Sequence, residues 1–200
     1  MKYVAIDTSA KQLIVLAQNG EKVACVRAES LMQHSVRLFP AIEDALSRAE
    51  LALTDCDFLA CVVGPGSFTG IRIGISAVKG LCFGLEKKAL AVTSLKQIAY
   101  AEETENKLAL VNAGHGNVYA EGFGTAALAQ GFYSTEEVLA LAQKTGAALL
   151  AGEEIAGVPA NVVDPAEGLR KAVRATAHAV TDASDLAAVY LRKSSAEEGR

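Results

Sequence analysis

The sequence predicts an α/β protein made of two related halves, and two observations carry that prediction. Short apolar runs bounded by turn residues alternate with stretches of helical periodicity along the 200-residue chain. The opening pattern of strand, Asx residue, turn and strand (Tyr3–Asp7, then Leu13–Leu16) returns at Leu108–Asn112 and Asn117–Gly122. With 51% hydrophobic and 21% charged residues, the composition excludes intrinsic disorder as the main state. A formal charge of −4 argues against a chain that grips nucleic acid by its own field.

The elements follow in order. Tyr3–Asp7 and Leu13–Ala17 are apolar runs, Asn19-Gly20 is a tight-turn signal, and Lys22–Arg27 completes a three-stranded meander. Val36, Phe39, Ile42, Leu46 and Ala49 recur at helical spacing between Ser35 and Glu50, with Pro40 either starting the regular helix or kinking it. Phe58–Val63 is a continuously apolar, buried strand, followed by a Gly-rich loop and a helix over Thr69–Gly84. Ala89–Val92 is a further strand, and Ser94 is placed to cap a helix reaching Glu103. Polarity peaks at 102–107, which predicts a boundary between one unit over 1–103 and a smaller one over 104–193. In the second unit Ser134 and Glu137 form a capping box for a helix to Lys144. Ala148–Ala151 is a short strand, Gly157–Pro165 a loop and Ala166–Val180 an amphipathic helix; residues 194–200 should fray.

The four cysteines, Cys25, Cys56, Cys61 and Cys82, form no Cys-x-x-Cys pair and sit among apolar neighbours, which suits core filling in a reducing compartment. His34, His115 and His178 are scattered, so no helical pair is spaced to hold a metal, and none is expected. The N-terminal apolar run is too short for a signal peptide, and no run reaches the roughly 18–20 apolar residues of a membrane helix. The expectation is a cytoplasmic protein away from the membrane.

The most informative stretch is Val63-Gly-Pro-Gly-Ser-Phe-Thr-Gly70 and the helix after it. A strand, a Gly-Pro-Gly loop and a helix N-terminus can present free N–H groups to a phosphate; equally, Gly64 and Gly66 permit a sharp turn that Ser67 or Thr69 caps. Asp7, Thr8 and Ser9 at the end of the first strand are the matching turn, either a phosphate and metal handle or an Asx cap. Along the helix, Gly70, Gly74, Ala77, Leu81 and Gly84 fall on one stripe, flanked by Ile71, Ile73, Ile75, Val78 and Phe83. Glycine inside a helix costs about 1 kcal/mol relative to alanine, so such a stripe implies close packing, against the protein's own core or a second subunit. At the repeated turn the acid is replaced by neutral Asn112, and His115 beside it has no triad partner.

These residues resemble a known family. Ala5-Ile-Asp-Thr-Ser9, Gln33-His-Ser35 with Leu38 and Pro40, the run Gly64-Pro-Gly-Ser-Phe-Thr-Gly-Ile-Arg-Ile-Gly74 with Ala77, Lys79 and Gly80, and the closing Tyr190-Leu-Arg192 are similar to the TsaB, or YeaZ, family. Two places depart from its pattern: Asn112-Ala-Gly114 with Asn117, where an Asp-Ala-Arg and an acid are usual, and Ala187-Ala188-Val189, where a proline is usual.

The resemblance implies an actin-like, Hsp70-like fold with an abbreviated second half. It implies a scaffold without catalytic residues that activates the related transferase TsaD, and through the complex meets TsaE and tRNA, in making N6-threonylcarbamoyladenosine at tRNA position 37. It further implies a heterodimer with TsaD, or a homodimer when TsaD is absent, through the first two helices. The interface positions expected on that basis are His34, Leu38, Ala41, Ala45, Gly70, Arg72, Gly74, Ala77 and Leu81. Asp7, Thr8, Ser9, Gly64, Gly66, Ser67 and Thr69 then become a vestigial phosphate loop, with no cofactor expected. The alternative is an independent ATP-dependent phosphotransferase on the same fold; a peptidase finds no triad or metal spacing to support it.

Overall fold

Ten strands and five α-helices make up the computed structural model, which describes residues 1–29 and 34–192. Gln33 of the sequence motif and the tail at 194–200 lie outside the described residues. The first sheet contains β1 (Lys2–Asp7), β2 (Gln12–Asn19), β3 (Lys22–Glu29), β4 (Phe58–Val62) and β5 (Lys88–Val92) in the order β3-β2-β1-β4-β5. The second contains β6 (Lys107–Gly114), β7 (Asn117–Phe123), β8 (Gly131–Ser134), β9 (Ala148–Ala151) and β10 (Asn161–Val162) in the order β10-β9-β6-β7-β8.

Read from the opposite edge, the second order is the first repeated. β6 takes the place of β1, antiparallel to β7 and parallel to β9, as β1 is antiparallel to β2 and parallel to β4. The duplicated α/β architecture implied by the sequence echo is therefore present. Helix α1 (His34–Ala49) between β3 and β4 corresponds to α4 (Thr135–Thr145) between β8 and β9. Helix α3 (Ser94–Ala101) after β5 corresponds to α5 (Pro165–Thr176) after β10. Only α2 (Phe68–Leu85), between β4 and β5, lacks a helical counterpart: residues 152–160 form a loop with one isolated bridge, Ile155 to Val158.

The last helix of each repeat packs on the other repeat's sheet. Helix α3 lies on β6, β7 and β9, whereas α5 covers β1, β2 and β5, and the two helices pack on each other between the sheets. Gly168 permits the crossing, since a Cβ there would collide with the Gln97 carbonyl. The buried faces follow from composition. On β1, Tyr3 and Ala5 face α5 while Val4 and Ile6 face α1 and α2, and both faces are apolar because both are covered.

Several boundaries differ from the sequence reading. Thr93, not Ser94, caps α3 by accepting from Lys96 N at 3.1 Å, which leaves Ser94 free to point inward. Strand β8 carries no periodic apolar signal and forms because β7 offers it an edge; β10, two residues long inside the expected loop, pairs with β9 in the same way. The last helix ends at Thr176 and passes into a 3₁₀ turn at Ala177–Ala179. At 18 residues and a mean hydropathy of 1.3, α2 has the length and apolarity of a membrane span, and one third of it is buried inside the protein. Cys56, Cys61 and Cys82 are buried, and loss of water pushes their thiols up to about 11, 12 and 11.

Asp164 holds the crossing in place. Its Oδ1 accepts from Ala166 N at 3.0 Å as the N-cap of α5, and its Oδ2 pairs with Arg27 of β3 at 2.7 Å. Burial pushes its carboxyl up, but the bonds from Arg27 and the Ala166 N–H outweigh this and hold it below its ordinary 3.8. A depressed acid contributes stability that is full above its ordinary value and is lost as pH falls through the lowered one. Asp164→Ala should cost about 1 kcal/mol in urea unfolding at neutral pH. Wild type and variant should converge in stability as pH drops below the ordinary carboxylate range.

Candidate functional site: the cleft turn and the second helix

Strands β1 and β4 both end at the cleft between the sheets, and this brings the two sequence-predicted loops together. Ser67 N donates to Ser9 O at 2.7 Å, and Thr8 Oγ1 donates to the Gly70 carbonyl at 2.7 Å. The Gly64–Pro65 peptide is cis. Ser67 caps α2, its Oγ accepting from Gly70 N at 3.2 Å, while Thr69 is solvent-exposed. Of the expected phosphate-loop residues, Asp7, Thr8, Ser9, Gly66 and Ser67 meet at one point. Gly64 instead lies under the C-terminal segment, where a Cβ would sit 2.8 Å from the Val189 carbonyl.

The polar groups at this point are engaged with one another. Asp7 is 2% exposed; its Oδ1 accepts from Ser9 N at 2.8 Å and Ser9 Oγ at 2.6 Å, and its Oδ2 accepts from Gln97 Nε2 at 2.8 Å. Gln97 also donates to the Pro165 carbonyl at 3.0 Å, and Ser94 Oγ lies 3.3 Å from Ser9 Oγ. Gln97 and Ser94 were not legible as site residues, because only the packing of α3 brings them to Asp7 across about 90 residues of chain. Across the cleft, Asn112 Oδ1 accepts from Gly114 N at 2.9 Å, the same turn contact that Asp7 makes with Ser9. His115 adopts a left-handed conformation within that turn. Between the two turns lies a cavity of about 210 Å³, lined by Asp7, Ser94, Gln97, Ile98, Leu110 and Asn112 among others. Lys11 and Glu153 face each other at its mouth, 3.5 Å apart.

The expected interface residues divide. Gly70 and Gly74 do not face outward: both are buried, and a Cβ on Gly70 would strike the Thr8 carbonyl, while one on Gly74 would lie 2.5 Å from Thr8 Oγ1. The close packing that the glycines imply is against the protein's own first turn. On α1, Leu38, Ala41 and Ala45 are likewise core residues, at 1%, 6% and 0% exposure. His34 is buried too, its Nε2 2.9 Å from the Ala10 carbonyl. These six positions, expected at an interface, are buried within the chain's own fold. Their spacing is the same either way, because a helix lying on a sheet also needs a small or apolar stripe.

The outward face of α2 carries Thr69, Arg72, Ser76, Gly80, Phe83 and Gly84, with Ile73, Ala77 and Leu81 partly covered. Phe83 is 89% exposed, and nothing lies within 4 Å of where a side chain would begin at Gly80 or Gly84. On α1, Val36 is 74% and Phe39 50% exposed. An open groove of about 580 Å³ runs between the helices over Phe39, Ile73, Ser76 and Ala77. Gly74→Leu should therefore lower the melting temperature, since overpacking against Thr8 costs about 1–3 kcal/mol. Gly80→Leu should leave thermal unfolding unchanged or slightly stabilised. Equal melting temperatures for the two variants would contradict the inward assignment of Gly74.

Comparison with known proteins agrees with this architecture. The family described as TsaD, tRNA N6-adenosine threonylcarbamoyltransferase, matches residues 28–193. The tRNA threonylcarbamoyladenosine biosynthesis protein TsaB of Escherichia coli (strain K12) is 35% identical over 123 residues, 60% of this chain and 53% of that protein. TsaB of Bacillus subtilis (strain 168) is 36% identical over 100 residues, 50% of this chain and 44% of that one. The chain thus spans about half the length of the curated relatives it matches. The solved structure of YeaZ from Pseudomonas aeruginosa superposes with a TM-score of 0.78 at 26% identity, covering 95% of this chain and 99% of that one. With its actin-like duplicated fold, the chain belongs to the family of the tRNA N6-adenosine threonylcarbamoyltransferase TsaD, and within it to the TsaB (YeaZ) proteins.

Proposed function

We propose that this chain is a non-catalytic docking subunit in the biosynthesis of threonylcarbamoyladenosine in tRNA. It acts in the cytoplasm, pairs with a TsaD protein through the outer faces of α1 and α2, and meets TsaE and tRNA only through that complex. Without TsaD, the same face joins a second copy. The observation that carries the reading is the uncovered apolar surface on these two helices. Phe83 and Val36 are the most exposed large apolar side chains among the described residues. Gly80 and Gly84 leave α2 open to close approach by another helix. The relatives' names supply the pathway.

An independent phosphotransferase would need Asp7 to hold a metal-bound phosphate. Its two oxygens already accept three hydrogen bonds, and the equivalent position across the cleft is neutral Asn112. The isolated chain should hydrolyse ATP no faster than buffer does. Metal-dependent turnover that disappears in Asp7→Ala would replace the docking reading with the phosphotransferase.

Docking is tested by calorimetric titration against TsaD. Phe83→Asp and Gly80→Glu should each weaken association at least about tenfold, the equivalent of about 1.4 kcal/mol, at unchanged melting temperature. Wild-type affinity in both would remove α2 from the interface.

A further inference from the structure

After α5 the segment 181–192 runs across the first lobe and reaches the second. Thr181 pairs with Ala89 on the free edge of β5 through two 2.9 Å backbone bonds, and Lys79 Nζ donates to Ser184 O at 3.1 Å. Leu186 then buries its side chain in the core beneath α2, and Val189 N donates to Val63 O at 2.8 Å. The next three residues change partners one after another. The Tyr190 ring stacks on Phe68 at the start of α2, with centroids 4.6 Å apart, and its hydroxyl accepts from Arg72 Nε at 3.0 Å. The Arg72 guanidinium in turn lies 3.8 Å over the Phe68 ring. Leu191 joins the apolar cluster between α3 and the second sheet, and the Arg192 guanidinium lies 5.1 Å over Phe132 of β8.

We propose that residues 186–192 are a latch that holds the two lobes in a fixed relation across the cleft, with Tyr190 as its fastening on α2 and Leu191 and Arg192 as its fastening on the second lobe. The latch adds to the ties made by the α3–α5 crossing, the Lys11–Glu153 and Arg27–Asp164 pairs and the Gln97–Asp7 hydrogen bond. Its contacts suit reversible closure. Tyr190 is 44% exposed, so the stack rests on ring area, one hydrogen bond and a cation–π contact rather than on deep burial. Arg72 also lines the groove between α1 and α2, so the latch and the groove share a side chain.

The test is a distance between lobes. In the full chain with Cys25→Ser, spin labels are placed at Glu43→Cys on α1 and Ala140→Cys on α4, both exposed positions. Pulsed dipolar spectroscopy should give one narrow distance with the native latch. With Tyr190→Ala and Leu191→Ala together, the distribution should broaden and gain a longer component. Arg192→Ala, which leaves the α2 end intact, should broaden it less; it is the deciding variant if the double change prevents folding. Tyr190→Phe should lie close to the native distribution, because the stack remains. Unchanged distributions in the folded variants would overturn the latch and leave the segment as a cover for α2 alone.

Discussion

The turn after β1 and the first two turns of α2 approach more closely than any side chain between them would allow, and much of the molecule is arranged around that approach. Thr8 sits against Gly70 and Gly74, donating its hydroxyl to a helix carbonyl, and Ser9 ties its own carbonyl to Ser67. The contact sets the height and rotation of α2 on the first sheet. With its glycine side turned inward, α2 must present Ser76, Gly80 and Phe83 outward. One steric requirement therefore fixes both the base of the cleft and the exposed face of α2.

The same turn explains the state of the cleft. The turns of the two repeats face each other across the cavity between the sheets. Here the buried Asp7 side chain accepts hydrogen bonds from Ser9 and Gln97. A buried charge is tolerated only when its lone pairs are satisfied, and these donors satisfy it. Gln97 comes from α3, the helix that has crossed to the second lobe, so the hydrogen bond also ties the lobes together. In this chain Asp7 links the turn after β1 to α3.

Crossing recurs elsewhere in the architecture. Helices α3 and α5 exchange sheets, Arg27 of the first sheet reaches the cap of α5, and the C-terminal segment returns along α2 before reaching β8. Each lobe is thus held by chain from the other. The second lobe, lacking a helix equivalent to α2, has fewer elements of its own to bury its sheet. On the face where α2 has no counterpart, Ile155, Val158 and Ala160 of the 152–160 loop pack with α4.

By itself the sequence determined the strands that alternate or run apolar, the helices with clear periodicity, the Ser134–Glu137 capping box, the repeat and the family. These are local or nearly local quantities: side-chain period, cap chemistry, and a motif whose spacing is contiguous. It also showed that glycines striped one face of α2, but not what lay against them, because a small-residue stripe looks the same whether a sheet or a subunit covers it. Tertiary structure decided that Thr8 fills the space and that Leu38, Ala41 and Ala45 are core. It also decided that Gln97 reaches Asp7, and that short β8 and β10 exist because a neighbouring strand edge needs hydrogen-bond partners. Those outcomes depend on residues distant in the chain meeting in space, and no local pattern encodes which pairs will meet.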